Sequence, residues 1–365
     1  MWKVGILRVL VVDDSIVFRS QIKSALESHS DIEVVGTAAN GKIALDKLSQ
    51  LSVDLVTLDL EMPELNGIET LKEMRKRGFD TKVIVFSSKS KQGSEATLEA
   101  LTSGAQDFLA KPSGENLSIE TAGDAIRKQL LPKVIQFIAS RPEMVDPLSE
   151  KVKTDSVVVN QASAQSQYLR KTIDTFNPSL IVIGSSTGGP AALEKIFTGL
   201  KGTLKIPIVI CQHMPPIFTA SLAKRLHQIT EIEAKEASNL ETIENKIYIA
   251  PGDFHLTIGG DEKNRFFKTD QRPLRNSVRP AVDHLFETAS EAYQSKCMGI
   301  VLTGMGDDGA IGCDVIKKNA GGVMIQNKAS CVVFGMPGAV FQLGAYDQQG
   351  DLEQIKSQIK RMAFK

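Results

Sequence analysis

The sequence predicts two α/β domains, each built on a doubly wound parallel sheet. Short apolar runs alternate with amphipathic helical segments along most of the chain. That alternation is typical of a parallel sheet with helices on both faces. The length of 365 residues suits two domains better than one. We place the first domain at residues 1–130, a linker at 131–176 and the second domain at 177–365.

The first domain contains five predicted strands separated by helical patterns. Helices are expected at 16–28 and 41–50, where apolar residues recur at helical spacing. Each strand is a short apolar run, and most of them stop at a polar residue. The predicted strands are 7–12, 32–37, 55–58, 83–86 and 107–110.

A polar stretch separates the two domains. Residues 151–167 are rich in Ser, Lys, Gln, Asn and Asp and lack a sustained apolar period, which predicts a linker. Apolar runs resume after it and predict a second parallel sheet. These runs are 180–183, 206–211, 246–250, 298–302 and 323–326.

Composition excludes several classes of function. Lys+Arg and Asp+Glu both number 43, which gives no electrostatic case for binding nucleic acid or an anionic membrane. We also find no apolar run of membrane-spanning length and no signal peptide, and therefore expect a cytoplasmic protein that is not inserted in a membrane. The four cysteines form no C-x-x-C pair and are expected to be reduced thiols.

Charged and hydroxyl residues follow four of the five strands in the first domain. Asp13 and Asp14 follow the first strand, Asp59 the third, Ser87 the fourth and Lys111 the fifth. Any one aspartate here could be a helix cap, but the carboxyl ends of parallel strands meet at one edge of a sheet. Converging carboxylates suit Mg²⁺, and one of them could then accept a phosphoryl group.

This pattern closely resembles the receiver domain of response regulators over roughly residues 7–125. The resemblance implies that Asp59 is phosphorylated, that Asp13, Asp14 and Asp59 hold Mg²⁺, and that Ser87 and Lys111 respond to the phosphorylated state. The matching segments are 11–15, 56–63, 87–88 and 104–112, together with Gly67.

A turn of small residues follows the first strand of the second domain. The segment 183–190 reads Ile-Gly-Ser-Ser-Thr-Gly-Gly-Pro. A dinucleotide fingerprint would need glycine in place of Ser186, and a phosphate-binding P-loop would need a lysine that is absent. A G-x-S-x-G nucleophile turn centred on Ser186 fits, although this signal alone is weak.

Two further strand ends of the second domain could complete a catalytic triad with Ser186. His213 precedes a Pro-Pro pair, and Asp307 and Asp308 lie in a glycine-rich loop. In a triad, histidine takes the proton of serine and an aspartate orients the imidazole. Backbone N–H groups near Thr187 and Met305 are candidates for an oxyanion hole.

Two other chemistries remain open at these strand ends. Cys211 could act as a thiol nucleophile, but it lies only two residues from His213 on one strand. A metal site of His213, His255 and His284 is conceivable, although no ligand spacing supports it. The chain order Ser–His–Asp also differs from that of α/β-hydrolases.

The chain as a whole resembles the chemotaxis protein-glutamate methylesterase/protein-glutamine glutaminase family. The resemblance implies a flavodoxin-like receiver and a Rossmann-like methylesterase domain, with Ser186 as nucleophile, His213 as base and Asp308 as orienting acid. Two residues depart from the pattern: Asp307, where the family often has Asn, and Ala281, where a hydroxyl residue is more usual. The matching segments are 183–190, 212–215, 248–255, 302–309 and 329–337.

The resemblance also implies a reaction and its partners. The reaction is hydrolysis of glutamyl γ-methyl esters on chemoreceptors, with deamidation of certain receptor glutamines, and the phosphodonor is the chemotaxis histidine kinase. Mg²⁺ is expected at the receiver site and no cofactor in the esterase domain. The alternative is a second domain that binds a partner without catalysis.

Overall fold

The first domain is a five-stranded parallel sheet flanked by helices. The structure of the protein, a computed structural model, describes residues 5–112, 119–139, 168 and 170–365. The strands are β1 (Leu7–Val12), β2 (Ile32–Ala38), β3 (Leu55–Asp59), β4 (Lys82–Ser87) and β5 (Asp107–Ala110). The helices are α1 (Ile16–Glu27), α2 (Gly41–Gln50), α3 (Gly67–Lys76), α4 (Lys91–Thr102) and α5 (Ile119–Ala139). The strand order is β2-β1-β3-β4-β5.

The second domain contains a seven-stranded parallel sheet and a separate two-stranded hairpin. Its helices are α6 (Gly189–Phe197), α7 (Phe218–Thr230), α8 (Val282–Tyr293), α9 (Ala310–Lys318), α10 (Met336–Leu343) and α11 (Leu352–Ala363). Its strands are β6 (Leu180–Ser185), β7 (Ile208–Gln212), β8 (Ala234–Glu236), β9 (Ile247–Ile249), β10 (His255–Gly260), β11 (Arg265–Asp270), β12 (Cys297–Val301), β13 (Gly322–Gln326) and β14 (Gln348–Gly350). The strand order of the sheet is β14-β13-β12-β6-β7-β9-β8, and β10 and β11 form the hairpin.

The predicted class of two parallel α/β domains is confirmed. Central strands such as β3, β6 and β12 are buried along their whole length, as continuous apolar runs predict. The short strands β8 and β14 and the antiparallel hairpin were not predicted. No helix among the described residues is long and apolar enough to cross a membrane.

Both ends of the predicted linker lie within folded structure. Helix α5 continues past residue 130, and its buried Val134 and Phe137 share a core with Ile22 of α1. Near the other end, the N–H of Lys171 donates to Asp347, 2.5 Å away, in the second domain. The predicted linker centre at 151–167 lies outside the described residues.

The two domains are packed against each other through α4 and β5 of the first domain. Helix α4 lies on α6 and α7. The hydroxyls of Ser94 and Ser221 form a buried hydrogen bond of 2.6 Å. The ring of Phe108 on β5 lies 4.6 Å from that of Phe218 on α7. Apolar and polar contacts therefore both hold the first domain to the second.

Candidate functional site

The sheet of the second domain brings three strand ends to one crevice. Strands β6 and β7 pair in parallel with Ser185 opposite Gln212, so the next residues, Ser186 and His213, leave the sheet side by side. Strand β12 pairs with the other side of β6, and the loop after it carries Asp308. The strand order reverses at β6, the position where α/β sheets usually bind ligands.

The turn that carries Ser186 is fixed by hydrogen bonds on both sides. The Ser186 N–H donates to the Thr303 carbonyl at 3.1 Å. Gln212 Nε2 donates to the Ser186 carbonyl at 3.0 Å, and Gln212 Oε1 accepts from the Ser185 hydroxyl at 2.6 Å. Gly304 is required here because a Cβ at that position would lie 2.9 Å from Ser186 Cβ. The Ser186 side chain is only half-buried, so it stays accessible.

The carboxylate of Asp308 is buried and accepts four hydrogen bonds. Its Oδ2 lies 2.8 Å from His213 Nε2 and accepts from the Val282 N–H at 2.7 Å. Its Oδ1 accepts from the Asp283 N–H and from Asn276 Nδ2, each at 3.0 Å. Burial alone would raise the pKa of Asp308, but the hydrogen bond and charge of His213 and the two backbone N–H groups hold it below its ordinary value.

The imidazole of His213 contacts Asp308 and lines the same cavity as Ser186. Since Nε2 pairs with Asp308, Nδ1 is the ring nitrogen that remains for a proton from Ser186. Within the described residues, the Ser186 hydroxyl makes no hydrogen bond. Such serine–histidine contacts are often long before substrate binds. The neighbouring Asp307 is exposed, so of the two aspartates it is Asp308 that contacts the imidazole.

Two backbone N–H groups beside Ser186 have no acceptor among the described residues. Thr187 precedes the first turn of α6, and Met305 follows Gly304 in the loop after β12. In the part of the chain that the structure describes, neither N–H donates a hydrogen bond. Both residues line the cavity that contains Ser186. Paired free donors of this kind can bind an oxyanion.

Asn276, which sequence reasoning missed, links the two buried aspartates of the site. Its Nδ2 lies 3.0 Å from both Asp283 Oδ2 and Asp308 Oδ1. Its backbone is left-handed, with φ of 52°, a conformation that asparagine tolerates better than most residues. Burial raises the pKa of the neighbouring Asp283. A single amide in a polar loop gives no sequence signal, so only the fold identifies this contact.

The thiol and three-histidine alternatives are not supported by the geometry. Cys211 is fully buried and burial raises the pKa of its thiol, which disfavours the nucleophilic thiolate. The rings of His255 and His284 pack edge to face with centroids 4.6 Å apart, and His255 Nε2 lies 3.1 Å from the Pro273 carbonyl oxygen. Among the described residues, the one cluster suited to a metal is in the first domain.

That cluster consists of Asp13, Asp14 and Asp59 at the ends of β1 and β3. Ligand atoms of the three lie within 4.8 Å of one another. Lys111 Nζ is 3.1 Å from Asp13 Oδ2 and 2.7 Å from Asp59 Oδ2. Burial raises the pKa of Asp59 to about 6 although Lys111 opposes the shift.

The same cluster fits a divalent cation. The Oδ2 atoms of Asp13 and Asp59 are buried, and despite their closeness to Lys111 neither accepts a well-directed hydrogen bond from any residue that the structure describes. Asp14 is exposed and could supply a further oxygen. Buried carboxylate oxygens with free lone pairs suit Mg²⁺.

Ser87 contacts helix α4 rather than Asp59. Its hydroxyl donates to the Gly93 carbonyl at 2.8 Å, while its own carbonyl accepts from the Lys111 N–H at 2.7 Å. The structure thus places Ser87 beside the acidic cluster, with its hydroxyl committed to the helix that packs on the second domain.

A cavity of about 660 Å³ lies over Ser186 between the two domains. The second domain contributes the three predicted catalytic residues and the loop of Arg279. The first domain contributes residues of β5 and α5, including Gln129, Pro132 and Lys133. The first domain therefore forms one wall of the Ser186 site.

Comparison with known proteins agrees with this organisation. The CheB methylesterase family model matches residues 181–359, and the response regulator receiver domain model matches residues 9–122. A protein-glutamate methylesterase/protein-glutamine glutaminase of Trichodesmium erythraeum is 41% identical over 97% of this chain and 98% of its own. One of Thermotoga maritima is 40% identical over 94% of each chain.

Two crystal structures of Thermotoga maritima CheB domains are also similar to the chain. The methylesterase catalytic domain is 42% identical, with a TM-score of 0.48, and covers 51% of this chain and 98% of its own. The response regulator domain is 42% identical, with a TM-score of 0.34, and covers 38% of this chain and 99% of its own.

A receiver domain followed by an enzymatic output domain defines the class of the protein as a response regulator with a hydrolase effector. The chain belongs to the protein-glutamate methylesterase/protein-glutamine glutaminase family. This membership supports the catalytic prediction and not the alternative of a partner-binding output domain.

Proposed function

We propose that the chain is a phosphorylation-activated serine hydrolase acting on chemoreceptors in chemotactic adaptation. It removes methyl groups from glutamyl γ-methyl esters and deamidates specific receptor glutamines. The observation that carries the proposal is the arrangement of Ser186, His213 and Asp308 on neighbouring strand ends, with Asp308 bonded to the imidazole.

The geometry supports a two-step acyl transfer. Ser186 Oγ attacks the ester carbonyl carbon while His213 Nδ1 takes the hydroxyl proton, and the N–H groups of Thr187 and Met305 bind the oxyanion. The C–O bond to the methoxy group breaks, and His213 returns the proton so that methanol leaves. Water then attacks the acyl-enzyme while His213 takes its proton. The bond between the acyl carbon and Ser186 Oγ breaks, His213 returns the proton to Ser186, and glutamate leaves as its carboxylate with a proton released to solvent.

Deamidation follows the same steps with a different leaving group. A glutamine side chain forms the same acyl-enzyme at Ser186, and the proton from His213 allows ammonia to leave instead of methanol. Both substrates therefore yield glutamate through one intermediate.

Replacement of Asn276 by alanine is expected to lower kcat with little change in KM. One hydrogen bond to Asp308 is lost, and at about 1.4 kcal/mol this corresponds to about a tenfold slower reaction. Asn239→Ala, in a loop elsewhere in the domain, is the matched control. A tenfold change in KM alone, with kcat unchanged, would contradict a positioning role.

The receiver supplies the switch in this proposal. Asp59 accepts a phosphoryl group from the chemotaxis histidine kinase, and Asp13, Asp14 and Asp59 would hold Mg²⁺, which would neutralise charge on the phosphoryl oxygens. The Lys111 ammonium, which already contacts Asp59, and the Ser87 hydroxyl would bind the same oxygens. To do so, Ser87 must leave the Gly93 carbonyl of α4.

Helix α4 connects this movement to the second domain. Its Ser94 bonds to Ser221 of α7, and Glu95 pairs with Lys224 at 2.7 Å on the same two helices. A shift of α4 therefore weakens docking. Phosphorylation favours the undocked state because the phosphorylated receiver is more stable with α4 in the shifted position. Undocking removes the first domain from the mouth of the Ser186 cavity.

The test of the proposal is demethylation of methylated chemoreceptor by the full chain, measured as methanol release. Acetyl phosphate with Mg²⁺ is expected to stimulate the wild type and to leave Asp59→Asn at its basal rate, because the amide cannot form the acyl phosphate. Asp46→Asn, an exposed change on α2, should respond like the wild type. Equal stimulation of wild type and Asp59→Asn would refute the switch.

A further inference from the structure

Among the described residues, the docked receiver makes hydrogen bonds to the turn of Ser186 but none to Ser186 itself. Asp107 Oδ2 accepts from the Thr187 hydroxyl at 2.6 Å, and the Gln106 carbonyl accepts from the Gly188 N–H at 3.0 Å. Asp107 is buried and its Oδ2 also pairs with Lys133 Nζ at 2.6 Å. These contacts lie on the two residues that follow Ser186.

The three proposed catalytic residues have no polar contact with the receiver in the part of the chain that the structure describes. Within the described ranges, no hydrogen bond or ion pair joins the receiver to Ser186, His213 or Asp308. The bond from Asp308 to His213 is intact at 2.8 Å in the docked arrangement. The Thr187 contact uses the side-chain hydroxyl and leaves its N–H free for an oxyanion.

The space over Ser186 accepts a small molecule but not a folded protein. The cavity of about 660 Å³ is within the range of small-ligand pockets. A protein partner instead needs roughly 800 Å² of free surface on each side, and the receiver residues Gln129, Pro132 and Lys133 occupy one side of this mouth. The docked receiver therefore leaves room over Ser186 for a small substrate and excludes a folded protein.

We propose that the docked, unphosphorylated enzyme hydrolyses small carboxylic esters at Ser186, a basal activity that phosphorylation does not control. The inference rests on the proposed function, because it uses the same nucleophile. A small ester R–COOCH₃ and water give R–COO⁻, methanol and a proton through the acyl-enzyme described above. The substrate class is short esters such as the γ-methyl ester of N-acetylglutamate.

The experiment compares this small ester with methylated receptor, using the full chain with and without acetyl phosphate and Mg²⁺. If the undocked state is populated at about 10% or less at rest, receptor demethylation should rise about tenfold or more on full undocking. For a substrate that reaches Ser186 in both the docked and the undocked enzyme, kcat/KM should change by less than about twofold. An equal rise for both substrates would overturn the proposal, since hydrolysis would then require undocking.

A second variant fills the cavity from the receiver side. Gln129 is exposed on α5 and faces this cavity, so Gln129→Trp should lower small-ester hydrolysis in the resting enzyme several-fold, and acetyl phosphate should restore it. Arg127→Trp places the same side chain on α5 in the groove against α1 and should leave the rate unchanged. An unaffected resting rate in Gln129→Trp would also overturn the proposal.

Ser186→Ala separates failure of this inference from failure of the proposed function. If Ser186→Ala retains hydrolysis of both substrates, the proposed function fails. If Ser186→Ala is inactive but both substrates are stimulated equally in the wild type, the serine mechanism stands and only the size-selective docking is wrong.

Discussion

Ser186→Ala is expected to abolish receptor demethylation and deamidation together, with a fall in kcat on the order of 10⁴-fold or more. In the proposed mechanism both reactions need the covalent acyl-enzyme, and the alanine variant lacks the attacking oxygen. The oxyanion donors and the His213–Asp308 pair remain in that variant. They can assist only direct attack by water, which is why the residual rate should be small.

The loss should come from chemistry and not from unfolding. The Ser186 hydroxyl makes no hydrogen bond in the described structure, so its removal leaves no buried group unpaired. The melting temperature and phosphorylation of Asp59 should therefore match those of the wild type. Ser238→Ala, an exposed serine of the same domain, is the matched control. Retained methanol release in Ser186→Ala would remove Ser186 as nucleophile.

The location of both sites could be predicted because parallel strands bring their carboxyl ends to one edge. Asp13, Asp59 and Lys111 follow three separate strands. In the structure, Lys111 Nζ nevertheless lies 3.1 Å from Asp13 Oδ2 and 2.7 Å from Asp59 Oδ2. Ser186 follows β6 and His213 follows β7, which begins 23 residues after β6 ends. The register of the two strands places Ser186 and His213 side by side. Strand periodicity and polar ends suffice for this kind of inference.

Features that depend on tertiary packing could not be predicted. The bond between Thr187 and Asp107 joins residues of separate domains, and nothing in either local segment specifies that pairing. Asn276 lies in an irregular loop whose path depends on ion pairs such as that between Arg275 and Glu287. The continuation of α5 past the predicted domain boundary at residue 130 could not be predicted either, because Pro132 lies inside the helix and proline usually disfavours helix continuation.

Asp308→Asn is expected to reduce kcat on the order of 10³- to 10⁴-fold through the tautomer of His213. In the wild type, Asp308 Oδ2 accepts from His213 Nε2, and this keeps Nδ1 free of a proton. If the amide of asparagine turns its NH₂ group toward Nε2, it donates a hydrogen bond there and moves the ring proton to Nδ1. Nδ1 could then no longer accept the proton of Ser186.

The asparagine also lacks one acceptor that the site requires. Oδ1 faces the Asp283 N–H and Asn276 Nδ2, and Oδ2 faces the Val282 N–H. Whichever side the NH₂ group takes, it opposes a donor, which should cost about 1–3 kcal/mol of stability. The pKa of Asp308 is lowered in the folded state, so its ionised form stabilises the fold above a pH of about 4, and this stabilisation is lost as pH falls below that value.

The effects of Asp308→Asn on rate and on stability can be measured separately. The kcat of Asp308→Asn should be taken well below its melting temperature, with the folded fraction measured by circular dichroism. Asp307→Asn changes the exposed neighbouring carboxylate. The activation free energy of this variant should rise by less than about a tenth of the rise for Asp308→Asn. A large rate loss in Asp307→Asn with a mild one in Asp308→Asn would reassign the orienting acid. If Asp308→Asn lowers stability but keeps the rate per folded molecule, the carboxylate only organises the loop, and the imidazole needs no partner to act as a base.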